Sequence, residues 1–179
     1  MNNAAPKVRR LTAVTAAQIQ QLADVLVDCV EGGASVSFML PLARGTAVAF
    51  WEKVAQGVAA GERALLVAED TAGICGTVQL VLDLPPNQPH RADVVKMLVH
   101  GRARRRGVGE ALMKAAESAA LDHRRTLLVL DTVTGDAGSR LYERCGWVRV
   151  GDIPNYALFP QGGLCATTYY YKELGEHRI

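Results

Sequence analysis

No two of the four cysteines, Cys29, Cys75, Cys145 and Cys165, stand in a Cys-x-x-Cys pair, and no Cys/His spacing suits zinc. That excludes a zinc finger or a redox dithiol, so no metal is expected and the thiols should be reduced and mostly buried. No window approaches the roughly 18 uninterrupted apolar residues of a membrane span. Nor does an apolar stretch follow Lys7, Arg9 and Arg10, as a secretory leader requires. A cytoplasmic protein with no membrane partner is the expectation. Excess charge of one sign is also missing, because 20 Lys and Arg against 18 Asp and Glu leave a formal +2. The field of the whole molecule gives no strong pull toward nucleic acid, and any anion site must come from local clustering. Internal repeats and low-complexity tracts are absent as well.

What is present is an ordinary globular composition. Hydrophobic residues make up 49% and charged residues 21% of the 179, enough to close a core without metal or disulfide staples. One domain over residues 1–179 follows.

Along the chain, Val8 to Val14 reads as a short edge strand interrupted by Arg9 and Arg10. Thr15 precedes Gln18 at capping-box spacing, and Ile19, Leu22, Ala23, Leu26 and Val30 recur at helical intervals up to Gly32 and Gly33. A second helix runs from about Leu42 with Val48, Trp51, Val54 and Val58 on one stripe, and stops near Gly61. Ala64 to Glu69 and Ile74 to Leu82 are β-rich runs joined by Asp70-Thr71-Ala72-Gly73, a hairpin pattern. Prolines 85, 86 and 89 cannot donate to a ladder, so a loop precedes the strand that begins near Ala92. That strand enters a Gly/Arg turn and then a helix with Leu112, Ala115, Ala116 and Ala119 inward. Leu127 to Leu130 is a buried-type strand, which gives a βαβ unit with parallel pairing. A helix over Ala137 to Arg144 stops at Gly146, and Trp147 to Gly151 and Thr167 to Lys172 read as the last strands. The class is mixed α/β: a twisted, mostly antiparallel sheet of about six to seven strands flanked by about four helices.

Chemistry concentrates at Gly101-Arg102-Ala103-Arg104-Arg105-Arg106-Gly107-Val108-Gly109. Glycine removes the Cβ that would hold an anion away from backbone N–H groups, and a helix N-terminus already favours negative charge. The spacing lacks the Gly-Lys-Ser/Thr ending of an ATP-binding loop and the third glycine of a dinucleotide fold. Guanidinium groups at 102, 104, 105 and 106 add charge suited to a diphosphate. Basic runs are more often plain solvated turns, but here strand, turn and helix are followed by Leu141-Tyr142-Glu143-Arg144-Cys145-Gly146-Trp147.

In these two segments the sequence resembles the GNAT superfamily, whose signature is Gln/Arg-x-x-Gly-x-Gly/Ala after the fourth strand and Leu-Tyr-x-x-x-Gly-Phe/Trp after the fifth. The resemblance implies acetyl-CoA as cosubstrate and an amine as acceptor. Narrower segments, Glu31 to Met39, Lys96-Met97-Leu98-Val99 and Leu130-Asp131-Thr132, look like the tabtoxin resistance acetyltransferases. That likeness implies an amino-acid-like small-molecule acceptor and a role in resistance to a toxin or antibiotic. A homodimer is implied by the family as well.

The resemblance further implies that Arg104, Arg105, Arg106, Gly107, Val108, Gly109, Glu110 and Ser139 bind the cofactor. It also implies that the fourth strand splays from the fifth at Met97, Leu98 and Val99, where an N–H near Leu98 or Val99 polarises the thioester carbonyl. Amine attack also needs a proton acceptor and an acid for the leaving thiolate. Tyr142 takes the acid role; a lone tyrosine is otherwise more often a packing residue. For the base, Asp131 at a strand end is preferred over Asp93, and it can equally orient the ammonium group. His100 stays outside the catalytic set. Ser35, Ser37, Phe38, Asp93 and Tyr156 are assigned to the acceptor, although Phe38 as a core residue and the serines as turn residues fit equally well. An acyl-CoA sensor, a protein-acetylating enzyme and a nucleic-acid binder are the competing classes. The last is disfavoured because no aromatic residues interleave with the arginines.

Overall fold

The computed structural model describes residues 7–175, so the ends of the expected 1–179 domain lie outside the described residues. Seven strands and four α-helices follow in the order β1 (Lys7–Leu11), α1 (Ala16–Glu31), α2 (Arg44–Ala59), β2 (Arg63–Asp70), β3 (Gly73–Val81), β4 (Arg91–Val99), α3 (Val108–Asp122), β5 (Leu127–Val133), α4 (Ala137–Arg144), β6 (Val148–Leu158) and β7 (Leu164–Glu173). A single 3-10 turn at Gly101–Ala103 lies between β4 and α3.

Local chemistry explains the boundaries. Thr15 caps α1 through its side-chain oxygen, and Gln18 returns the bond to the Thr15 N–H, so the capping box forms as its spacing requires. In the β2–β3 turn the Asp70 carboxylate accepts the Ala72 N–H at 2.9 Å, an Asx turn that reverses the chain.

The sheet order is β1-β2-β3-β4-β5-β7-β6, antiparallel everywhere except between β4 and β5. β2 and β3 are buried on both faces, which accounts for their near-continuous apolar runs. Leu66, Leu80 and Leu128 face α3 with Leu112 and Met113. On the other face Leu65 and Ile74 pack with Leu22 and Leu26 of α1 and Trp51 of α2. Each such side chain contributes about 1.5–3 kcal/mol through removal from water.

Several expected boundaries move, among them β5, which runs on to Val133, and β7, which starts at Leu164. β1 ends at Leu11 rather than Val14, α2 begins at Arg44 rather than Leu42, and β6 continues seven residues beyond Gly151 to Leu158. The β6 ladder absorbs Val150 and the Pro154–Tyr156 stretch in two register shifts against β7, with Asn155 at φ 54°. Bulges of this kind let a strand pass through residues that otherwise read as a turn.

The feature that positions the site lies at the centre of the sheet. β4 and β5 pair only over Arg91–Asp93 and Leu127–Val129. Beyond that point β4 stays with β3 and β5 stays with β7, so a cleft opens between the two central strands.

Candidate active site

On the α3 side of the cleft a groove of about 390 Å³ is bounded by Met97 and Val99 of β4, the turn before α3, and Gly138 and Leu141 of α4. Its floor is the N-terminus of α3, whose N-cap is Gly107 at φ 78°. The first N–H groups of a helix have no partner inside it, and a Cβ at Gly107 would meet nothing within 4 Å. Space is therefore left for an anion to approach the backbone. Arg105 also takes a left-handed φ of 60°, which tightens the turn. Gly109 has a different role: a Cβ there would lie 2.9 Å from a Leu141 methyl, so glycine lets α3 and α4 come close together.

The arginines do not act as one cluster. Arg102 donates to the carbonyl of Ile74 at 2.8 Å and pairs with Asp70 at 3.3 Å, tying the turn to the β2–β3 hairpin. Arg104 donates Nε–H to the Val99 carbonyl at 3.0 Å and lies 3.9 Å from Asp28. Asp28 also accepts the Gly101 N–H at 2.7 Å. Arg104, Arg105, Gly107, Val108, Gly109 and Glu110 line the groove, whereas Arg106 does not, and its charge bears on Asp70 and Cys75. Glu110 pairs with Lys114 one turn along α3 at 2.6 Å. The expectation that Ser139 lines this groove is not met. Ser139 is buried, its hydroxyl donates to the Val133 carbonyl at 3.2 Å, and its N–H donates to the cap residue Asp136.

Ladder geometry sorts the expected backbone donors. Hydrogen-bonded and free pairs alternate along an antiparallel ladder, and the His100 N–H donates to the Cys75 carbonyl at 2.9 Å. With Leu98 opposite Thr77 and Val99 opposite Gly76, the Leu98 N–H faces β3 and the Val99 N–H faces the cleft. Leu98 is also buried among the α1 and α2 residues. Of the three β4 residues expected at the cofactor, Met97 and Val99 reach the groove and Leu98 does not.

A second cavity of about 480 Å³ lies on the other side of Met97, which lines both spaces. Its walls are the loop between α1 and α2, the β4 bulge, the end of β5, and β6 and β7. Two hydrogen bonds join the loop to the β6–β7 hairpin, from the Ser35 hydroxyl to the Leu158 carbonyl at 2.8 Å and from the Leu40 N–H to the Pro160 carbonyl at 2.9 Å.

Inside this cavity, Asp131 stands opposite Tyr169 in the β5–β7 ladder and accepts a hydrogen bond from Thr167 at 2.7 Å. Tyr142 lines the cavity and packs its ring against Trp147 and Tyr170. Burial, reinforced by the charges of Asp136 and Asp131, raises its phenol above the ordinary value, so the hydroxyl keeps its proton. Ser37, at φ 78°, accepts from Lys96 Nζ at 3.1 Å. Phe38 lines the cavity and packs edge-on against Phe50 at 5.3 Å. Tyr156 lines the cavity with its hydroxyl 2.9 Å from that of Tyr169. Asp93 is not brought to the cavity wall; it is bound by Arg91 on its own strand.

Sequence reading passed over Lys96 and Thr167, which line the cavity, and Tyr169, whose hydroxyl meets that of Tyr156. The signal for Lys96 was a lone cation inside the apolar run Val94-Val95-Lys96-Met97-Leu98-Val99. Thr167 and Tyr169 gave no such signal. Among the described residues, no group of three or more His, Cys, Asp and Glu is placed to hold a metal, and no helix is long and apolar enough to cross a membrane.

Residues 61–149, which span the β2–β3 hairpin, the cleft strand, the α3 turn and α4, match the family model of the GNAT acetyltransferase domain. The chain carries a GNAT acetyltransferase domain. Solved structures extend the likeness over nearly the whole chain. The yncA acetyltransferase of Salmonella typhimurium, whose structure holds acetyl-CoA, superposes with a TM-score of 0.78 at 17% identity over 98% of this chain and 97% of that one. A ribosomal-protein-alanine N-acetyltransferase from Brucella melitensis gives 0.76 at 19% identity, covering 94% and 99%. A protein assigned as a phosphinothricin N-acetyltransferase gives 0.74 at 17%, covering 95% and 100%. At such identities the neighbours share the GNAT fold with this chain, and they include both protein and small-molecule acetyltransferases.

Proposed function

We propose that the protein transfers an acetyl group from acetyl-CoA to a primary amine of a small molecule. The α3 groove fits the diphosphate of coenzyme A, because Gly107 leaves the helix N–H groups open and Arg105 lines the approach. When bound, acetyl-CoA supplies an acetyl group activated as a thioester. Val99 presents its N–H to the cleft, where it stabilises negative charge developing on the acetyl oxygen. The amine enters through the second cavity, and the two spaces meet at Met97. Asp131, directly or through a water, takes the proton that the amine loses as its nitrogen bonds to the acetyl carbon. Tyr142 returns a proton to the sulfur as the carbon–sulfur bond breaks, and burial keeps its phenol in the protonated form that this role requires.

The observation that favours a small acceptor is the pair of hydrogen bonds from Ser35 and Leu40 to the β6–β7 hairpin. They bridge the two segments across the acceptor cavity, and its volume lies within the range of small-molecule sites. A protein terminus needs an open channel between those segments. The tabtoxin-type segments narrow the reading to an amino-acid-like toxin or antibiotic, and hence to resistance. A second copy of the chain would cover exposed Val148 and Val150 at the free β6 edge. The test is thiol release from acetyl-CoA across amino acids, amine antibiotics, polyamines and short peptides. Acetylation of small amines supports the reading; transfer to peptides alone overturns it.

A further inference from the structure

The acceptor cavity contains a cation that acetyl transfer does not use. β4 carries one extra residue opposite β3 between Val95 and Leu98, and Lys96 sits in this bulge at φ 52°. A non-glycine residue in that region costs about 1 kcal/mol or more, and the bulge re-aims its side chain out of the ladder. That side chain lines the cavity. Its ammonium lies 3.1 Å from the Ser37 hydroxyl and 5.8 Å from the centre of the Phe50 ring. Ser37 is itself left-handed, at φ 78°, so two strained residues from separate segments meet at one polar point.

No carboxylate of the described residues lies within 4.0 Å of Lys96 Nζ. A neutral hydroxyl and a ring face compensate a half-buried ammonium only in part. Burial lowers the Lys96 pKa, with Arg63 acting in the same direction and Asp131 against it. Asp131 acts only at a distance, so an anion entering with the acceptor would complete the compensation.

We propose that Lys96 and Ser37 form a carboxylate-binding subsite, so that the acceptor is a zwitterion whose amine lies at Asp131 and whose carboxylate lies at Lys96. This rests on the acetyl-transfer reading above and adds the substrate class to it. Lysine supplies the charge and the serine hydroxyl a second donor, while Asp131 on the facing strand repels the carboxylate and attracts the amine. The pair of charges fixes which end of the molecule meets the thioester.

The experiment compares matched acceptors, lysine and ornithine against lysinamide and ornithinamide, with the wild type, Lys96→Met, Lys96→Arg and Ser37→Gly. Acetyl-CoA binding to each variant verifies the fold, and glycine at 37 suits the positive φ. The readout is the acid-to-amide ratio of kcat/KM at saturating acetyl-CoA. A charge-assisted contact predicts a wild-type ratio above about ten, its collapse toward one in Lys96→Met, partial retention in Lys96→Arg and an intermediate value in Ser37→Gly. Acids and amides acetylated alike by the wild type, or a ratio unchanged in Lys96→Met, overturn the subsite and leave acetyl transfer standing. Transfer to none of the four overturns the zwitterion as substrate class, and parallel turnover of a polyamine separates that failure from loss of acetyl transfer itself.

Discussion

Thr167 Oγ lies 2.7 Å from Asp131 Oδ2 and 2.9 Å from the Thr132 carbonyl oxygen, with one hydrogen to share between them. The bond fixes one carboxylate oxygen and leaves the other for the acceptor. Asp131→Asn is expected to lower kcat about 100-fold, as loss of a positioned proton acceptor does. Thr167→Val should lower it only about three- to tenfold, with the KM for acetyl-CoA within about twofold in both. Steady-state kinetics decide, and equal turnover in Asp131→Asn removes it from the mechanism.

Tyr142→Phe keeps the ring that packs on Trp147 and Tyr170 and deletes only the proton donor. Turnover should fall about 100-fold while acetyl-CoA affinity stays within about threefold. Because burial raises the phenol above its ordinary 10.0, ionisation of Tyr142 should cause no loss of wild-type kcat below pH 10. A descending limb near neutral pH that disappears in Tyr142→Phe contradicts this assignment.

Gly107→Ala puts a side chain into a left-handed position where a Cβ meets no neighbour. It should cost about 1 kcal/mol of stability and weaken CoA about tenfold in calorimetry by reshaping the diphosphate turn. Arg102→Ala is the contrast: its guanidinium serves Asp70 and Ile74, so CoA affinity should stay within about twofold. The reverse order would return the diphosphate to the arginine side chains.

Lys96 also makes a prediction about stability. Its folded pKa lies below the unfolded one, chiefly through burial, so between those two values the unfolded chain holds more protons. Unfolding free energy should therefore rise with pH in that window, toward the ordinary 10.5. Lys96→Met lacks the group and should lack this share of the rise, so its advantage over the wild type should narrow as pH increases. Melting temperatures of both proteins from pH 7 to 10.5 test this, and a gap that widens contradicts it.

Much of this architecture is legible in the sequence because local chemistry and tertiary structure agree. Thr15 and Gln18 announce α1, the Asp70–Gly73 turn announces the hairpin, and Gly107 marks the start of α3. The illegible parts are those where tertiary packing overrides local preference. The strand reads as ending at Gly151, yet β7 carries it through Pro154 and Asn155 in a bulged ladder. Arg102 and Arg106 look like partners of Arg104, but the neighbouring hairpin draws Arg102 to Asp70. Ser139 stands in a helix that borders the groove, and only its bond to Val133 shows that it points elsewhere. Lys96 enters the acceptor cavity because β3 imposes a bulge, a property of pairing that neither strand carries alone.

The most direct measurement of the central claim is the initial rate of thiol release from acetyl-CoA with a free amino acid, compared with a short peptide presenting the same residue at its N-terminus. An acceptor cavity bridged by the Ser35 and Leu40 hydrogen bonds predicts turnover of the amino acid at least about tenfold faster by kcat/KM. Acetylation of the peptide with none of the amino acid, at matched concentrations, would contradict it.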